Sequence, residues 1–166
     1  MADVDAAITY TLQFEDSTLS GKITVDEGGP TRFGIAEKYH PELSNCLFFN
    51  SMGSIAALAI AKGIYATQYA EPLCIAQIAN QDIANKLLSL GVNIGIPRAA
   101  KMLQSAVGVS EDGVVGALTL MALSKADPLE VLADLRASAE SYYYHVAANN
   151  PEDAEYLNGW LARARA

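Results

Sequence analysis

The sequence predicts a mainly α fold with one small irregular or β excursion near residues 17–31. Three observations carry this. Apolar residues recur at helical spacing in segment after segment. Ser17-Thr18-Leu19-Ser20-Gly21 and Gly28-Gly29-Pro30 are too rich in turn formers to continue a helix. The chain has 166 residues, 51% hydrophobic and 18% charged, enough to fold around one core.

The elements follow in order. Asp3 or Asp5 caps a first helix with Ile8, Tyr10, Leu12 and Phe14 as apolar anchors, and it stops near Glu15-Asp16. Lys22-Ile23-Thr24-Val25 alternates and is β-branched, so it predicts a short strand. Gly28-Gly29-Pro30 predicts a turn. Phe33 to Tyr39 reads as the start of a helix that ends before Pro41, and Leu43 to Phe49 as a connection. Ser54 caps the next helix, in which Ile55, Leu58, Tyr65 and Tyr69 repeat at helical spacing.

Ile75 to Leu90 reads as one strong apolar helix and Arg98 to Gln104 as another. Asn93, between them, reads most simply as the brace of a helix start. Asp127 and Pro128 open a long helix to about Ala147. Its Tyr142-Tyr143-Tyr144 run points three ways and so gives no flat aromatic platform. Trp160 is expected to anchor the C-terminal helix. The whole reads as one domain, residues 1–166, with an N-terminal part at 1–73 and a helical part at 74–166 sharing its core.

Composition excludes several functions. A net charge of -8 argues against a nucleic-acid partner, whose phosphates need Lys and Arg. No run of about 18 apolar residues exists to insert in a membrane. Met1-Ala2-Asp3-Val4-Asp5 lacks the basic start of a secretory signal, so the expected first location is the cytoplasm. Cys46 and Cys74 lie in apolar settings and read as buried free thiols, with a disulfide formed after export as the alternative. Neither has a partner at metal-ligand spacing, and no metal or organic cofactor is implied.

The chemistry concentrates between Glu15 and Ile35. Glu15 closes an apolar helix, where the negative end of the dipole and contact with Phe14 both favour a protonated carboxyl, and an ordinary solvated helix-end Glu is the alternative reading. Asp26, Glu27 and Thr31 follow on the glycine-rich excursion. A proton donor facing a second carboxylate and a hydroxyl is what cleavage of a sugar chain requires. Asp26 and Glu27 compete for the second role. Tyr69 and Asn93 are candidate substrate contacts, each with a structural reading beside it.

Asp26-Glu27-Gly28-Gly29-Pro30-Thr31-Arg32-Phe33-Gly34-Ile35 resembles the signature Asp-x-Gly-Gly-x-Thr-x-x-Gly-Ile of glycoside hydrolase family 108, the phage and prophage N-acetylmuramidases. Glu15 stands at the family's acid, although Asp16-Ser17 follows it where the family has Gly-Gly. Ser89 occupies a position that is usually Asp. Leu103-Gln104, Asp112-Gly113, Gly116 and Thr119 resemble the pattern of peptidoglycan-binding helical modules, and Gly159-Trp160 with Arg163 resembles the family's ending.

The resemblance implies a lysozyme-like fold. It also implies hydrolysis of the β-1,4 bond between N-acetylmuramic acid and N-acetylglucosamine in peptidoglycan glycan strands. Glu15 would be the general acid, Asp26 the stabiliser of positive charge or orienter of water, and Thr31 the holder of that water. It implies a monomer that stays in the cytoplasm until a holin-like partner releases it to the wall or periplasm, as an endolysin. A non-catalytic wall-binding protein on the same fold and a lytic transglycosylase are the alternatives.

Overall fold

The computed structural model describes residues 1–26 and 29–166, without the side chains of Asp26, Pro151 and Asp153. The elements are α1 (Val4–Glu15), β1 (Thr24–Asp26), β2 (Gly29–Arg32), β3 (Ile35–Ala36), α2 (Ser54–Tyr65), α3 (Gln81–Ile94), α4 (Ile96–Ala106), α5 (Ala117–Leu123), α6 (Pro128–Asn149) and α7 (Leu157–Arg165). Single 3-10 turns at Pro41–Cys46, Ile75–Gln77 and Pro151–Tyr156, and a π turn at Ala66–Ala70, join them.

The core is built on α3. Asn80 caps it by accepting from the Ile83 amide at 3.1 Å. Leu87, Leu88 and Leu90 are then 0% exposed, and each contributes about 1.5–3 kcal/mol by leaving water. α1, α4 and α6 pack around it. α1 offers Ala7, Ile8, Thr11 and Leu12 as one buried face. It ends where Asp16 turns to an extended conformation, which leaves Glu15 on the rim.

The excursion is a three-stranded antiparallel sheet in the order β1-β2-β3, with Thr24 opposite Thr31 and Thr31 opposite Ala36. Side chains alternate along β2. Arg32 is buried, its Nε donating to Gly21 O at 2.8 Å and its NH1 to Phe48 O and Met52 O at 2.9 Å. Those bonds tie the sheet to the body of the protein and leave Thr31 on the other face. Glu27 and Gly28 lie outside the described residues, and Gly29 and Pro30, expected in a turn, are the first residues of β2.

Several elements differ from the sequence reading. Phe33 to Tyr39 is no helix. Phe33 (φ 52) and Gly34 (φ 73) reverse the chain so that Ile35 and Ala36 pair with β2. The helix expected from Ile75 to Leu90 is broken. Cys74 adopts φ 52, a 3-10 turn follows, and the helix restarts after the Asn80 cap. Asn93 lies in the last turn of α3 and braces no helix start. Ser54 is the first residue of α2, with Gly53 at the cap position, and its hydroxyl donates to Ser20 O at 2.7 Å. Neither thiol is buried: Cys46 is exposed and Cys74 half-buried, and both are free.

Candidate active site

Glu15 stands in the middle of a groove. On one side lies a lobe of about 440 Å³ walled by Tyr39, His40, Tyr65, Gln68, Tyr69 and Asn93. On the other lies a lobe of about 430 Å³ walled by Asp16, Thr18, Lys22, Thr24 and Thr31. Glu15 and Gly34 border both. The two lobes differ in chemistry: the first is aromatic and amide-bearing, the second rich in hydroxyls.

The carboxylate is approached from two directions. Arg163, on α7, donates from NH2 to Oε1 at 2.9 Å, and the Glu15 side chain is 24% exposed. The same guanidinium lies 5.0 Å over the Phe14 ring. From the sheet, the Gly34 backbone comes down on the acid. A Cβ placed on Gly34 would lie 2.7 Å from the Tyr65 hydroxyl and 2.9 Å from Glu15 Cγ. Tyr65, 2% exposed, holds that turn by donating to Phe33 O at 3.0 Å. Burial, and then the nearby negative charge of Glu15, push the Tyr65 hydroxyl far above its ordinary range, so it remains a donor.

The loop after Glu15 is where the chain departs from the Glu-Gly-Gly pattern, and Asp16 organises it. Its carboxylate accepts from the Thr18 amide and hydroxyl at 3.2 and 3.1 Å, and from Ser20 Oγ and the Gly21 amide at 3.0 and 2.7 Å. Desolvation opposes ionisation, but these bonds outweigh it and hold the carboxyl down at about 2. The carboxylate therefore stays an acceptor through the neutral range, and the loop keeps its shape beside the groove.

The predicted site residues fall as follows. Glu15 and Thr31 both border the hydroxyl lobe, and Thr31 Oγ1 is buried without a hydrogen-bond partner among the described residues. Tyr69 and Asn93 border the aromatic lobe. Asn93 Oδ1 accepts from the Tyr143 hydroxyl at 2.6 Å, which leaves its amide N–H groups as the donating end. The backbone of Asp26 pairs with Gly29 in the hairpin, while its side chain lies outside the described residues. Among the described residues no group of His, Cys, Asp and Glu is arranged to hold a metal.

Arg163, Tyr65 and Gly34 surround Glu15, and sequence reasoning gave none of them that place. Arg163 was visible only as part of a terminal motif, 148 residues from its partner. In the motif from Leu103 to Thr119, the Gln104 side chain closes the loop between α4 and α5. Its amide, 1% exposed, accepts from the Gly113 amide at 2.9 Å. It donates to Asp112 Oδ1, Val114 O and Thr119 Oγ1.

Comparison with known proteins gives the family and the fold. Residues 12–95 match the family model described as Glycosyl hydrolase 108, and residues 98–165 match one described as "Predicted Peptidoglycan domain". The solved structure of Brucella abortus SagA superposes with a TM-score of 0.72 at 22% identity, covering 98% of this chain and 89% of that one. The two share a lysozyme-like fold, mainly helical with a small sheet. No curated protein sequence matches.

Proposed function

Because the chain belongs to the Glycosyl hydrolase 108 family and is a peptidoglycan hydrolase, we propose that it is an N-acetylmuramidase in which Glu15 is the general acid. The observation that carries this reading is a groove that passes a half-buried carboxylate on both sides. A glycan strand must lie across the acid, with sugars held on each side of the bond to be cut. Two lobes meeting at Glu15 meet that need.

Glu15 protonates the oxygen between the two sugars. The bond from that oxygen to C1 of the muramic residue breaks, and positive charge develops on the ring. Asp26 stabilises that charge or orients water, and Thr31 holds the water. Water adds to C1, and its proton passes to a carboxylate, restoring the enzyme. Arg163 on Oε1 reserves Oε2, the oxygen beside Gly34, for the proton that is transferred. Tyr69 supports a sugar face and Asn93 donates to an acetamido or hydroxyl oxygen. In this reading residues 1–73 carry the acid, residues 74–166 close the groove behind it, and the chain acts as one monomeric unit. A holin-like partner would open its route from cytoplasm to wall.

Purified sacculi, with mass analysis of the released fragments, test the proposal. Wild type is expected to release fragments ending in reducing muramic acid. Glu15→Gln is expected to slow release by roughly 10²-fold or more. Anhydro-muramic ends would indicate a lytic transglycosylase. Retention on sacculi without release would indicate a binding protein. Equal rates for Glu15→Gln and wild type would remove Glu15 from its role.

A further inference from the structure

Lys86 sits in the middle of α3 and is 1% exposed. A buried ammonium is costly unless strong partners surround it. The partners it has are backbone carbonyls: Nζ donates to Arg163 O at 2.6 Å and to Ala164 O. Both belong to the last turn of α7, where carbonyls lack partners within the helix and carry the negative end of its dipole. Arg163 is also the residue whose guanidinium reaches Glu15.

We propose that Lys86 is a positioning residue for the active site: its charge pins the last turn of α7 and so holds the Arg163 guanidinium against Glu15. The proposal rests on the reading of Glu15 as the acid. It assigns Lys86, buried and remote from the groove walls, a part in the chemistry through another residue.

The surroundings make the device sensitive to pH. Arg136 and Glu140 face Lys86 from α6, and Arg163 faces it from α7. On α1, Tyr10 lies in the field of the same two arginines and of Asp82. Arg136 donates to Ala166 O at 2.8 Å, and Arg165 pairs with Glu140 at 3.0 Å. Burial, followed by the two arginines, brings the Lys86 ammonium down to about 8, against the pull of Glu140. Arginine stays charged there, so Lys86 switches while Arg163 does not. A neutral amine keeps its contacts but loses the attraction between charge and dipole. The last turn of α7 then loosens and Arg163 with it.

Global stability moves the other way. The unfolded lysine holds its proton up to its ordinary value of 10.5, and the folded one releases it at about 8. Between the two the folded state binds fewer protons, so this group adds stability as pH rises. Alkaline loss of activity without loss of fold is therefore the signature.

Trp160, the one tryptophan in the chain, lies on α7 and stacks on Tyr143 at 5.6 Å. Its emission reports the seating of α7 without substrate. From about pH 6.5 to about 9.5, below ordinary tyrosine ionisation, wild-type emission is expected to titrate with a midpoint of about 8. The kcat should fall over the same limb with KM little changed. Lys86→Arg should abolish the emission change and shift the limb upward. Lys86→Met, checked for folding by circular dichroism, should lower kcat roughly ten- to a hundredfold at every pH. If Lys86→Arg leaves the wild-type emission and rate profiles unchanged, or Lys86→Met turns over like wild type, the proposal is overturned. Emission needs no turnover, so an inactive wild type would count against the muramidase reading, and a flat emission profile against Lys86.

Discussion

Two loops in this molecule are closed by a single side chain, and they are closed differently. Between α4 and α5 the side chain is Gln104, neutral and 1% exposed, with acceptors and a donor for its whole amide. Between α1 and β1 it is Asp16, charged and only partly covered, which gathers the Thr18, Ser20 and Gly21 groups on the surface. The first loop satisfies its polar groups internally. The second borders the groove and leaves Thr31 Oγ1 buried without a partner among the described residues. A buried polar atom left unpaired costs free energy. The contrast teaches that stability is concentrated in the C-terminal loop, whereas the rim keeps polar capacity for a ligand.

The largest effect expected from breaking this contrast is at Gly34. Its φ of 73 disfavours any side chain by about 1–2 kcal/mol. A Cβ would also displace the Tyr65 hydroxyl or the Glu15 side chain. Gly34→Ala is expected to lower turnover of sacculi by about 10²-fold, because an ångström of misplacement at the acid is enough. Thermal unfolding should show a smaller loss. Turnover close to wild type would mean that the sheet backbone does not set the position of the acid.

Next in size is Gln104→Leu. It strands the buried Gly113 amide and removes the donor to Thr119. The expected loss is about 1–3 kcal/mol in denaturant unfolding. Activity per folded molecule should be unchanged, since the motif lies away from the groove. A variant that unfolds normally yet loses activity would reverse the division of labour drawn above.

What was legible in the sequence follows the range of the interactions. Asp3, and Asp127 with Pro128, announced α1 and α6 because a cap is decided within three residues. The Gln104–Thr119 loop was readable for a similar reason: its bonds span at most fifteen residues. Phe33 to Ala36 was misread because two strand residues carry no periodicity, and pairing with β2 decides them. The helix expected from Ile75 breaks at Ile78 and Asn80, where the backbone is extended and the Asn80 side chain caps α3, a local signal that the continuous apolar pattern masked. Glu15 and Thr31 were picked out by their resemblance to the family signature, and the structure brings them to one lobe. The ion pair to Arg163 and the anchor at Lys86 depend on the packing of α7, which local sequence does not encode.

The smallest effect, and the sharpest, is at Thr31. Threonine and valine have nearly the same shape, so Thr31→Val removes the hydroxyl and little else. If Oγ1 served the fold, its loss would cost stability. Among the described residues it has no partner to lose, however, and burying it unpaired is itself unfavourable. Thr31→Val is therefore expected to be neutral or stabilising by a few tenths of a kcal/mol in denaturant unfolding. Turnover should nevertheless fall by about tenfold, the loss of one water-holding hydrogen bond at roughly 1.4 kcal/mol. Opposite signs in the two measurements would mark a group kept at the rim for its ligand. A fall in both would make Thr31 a structural residue and place the rim in the same class as the Gln104 loop.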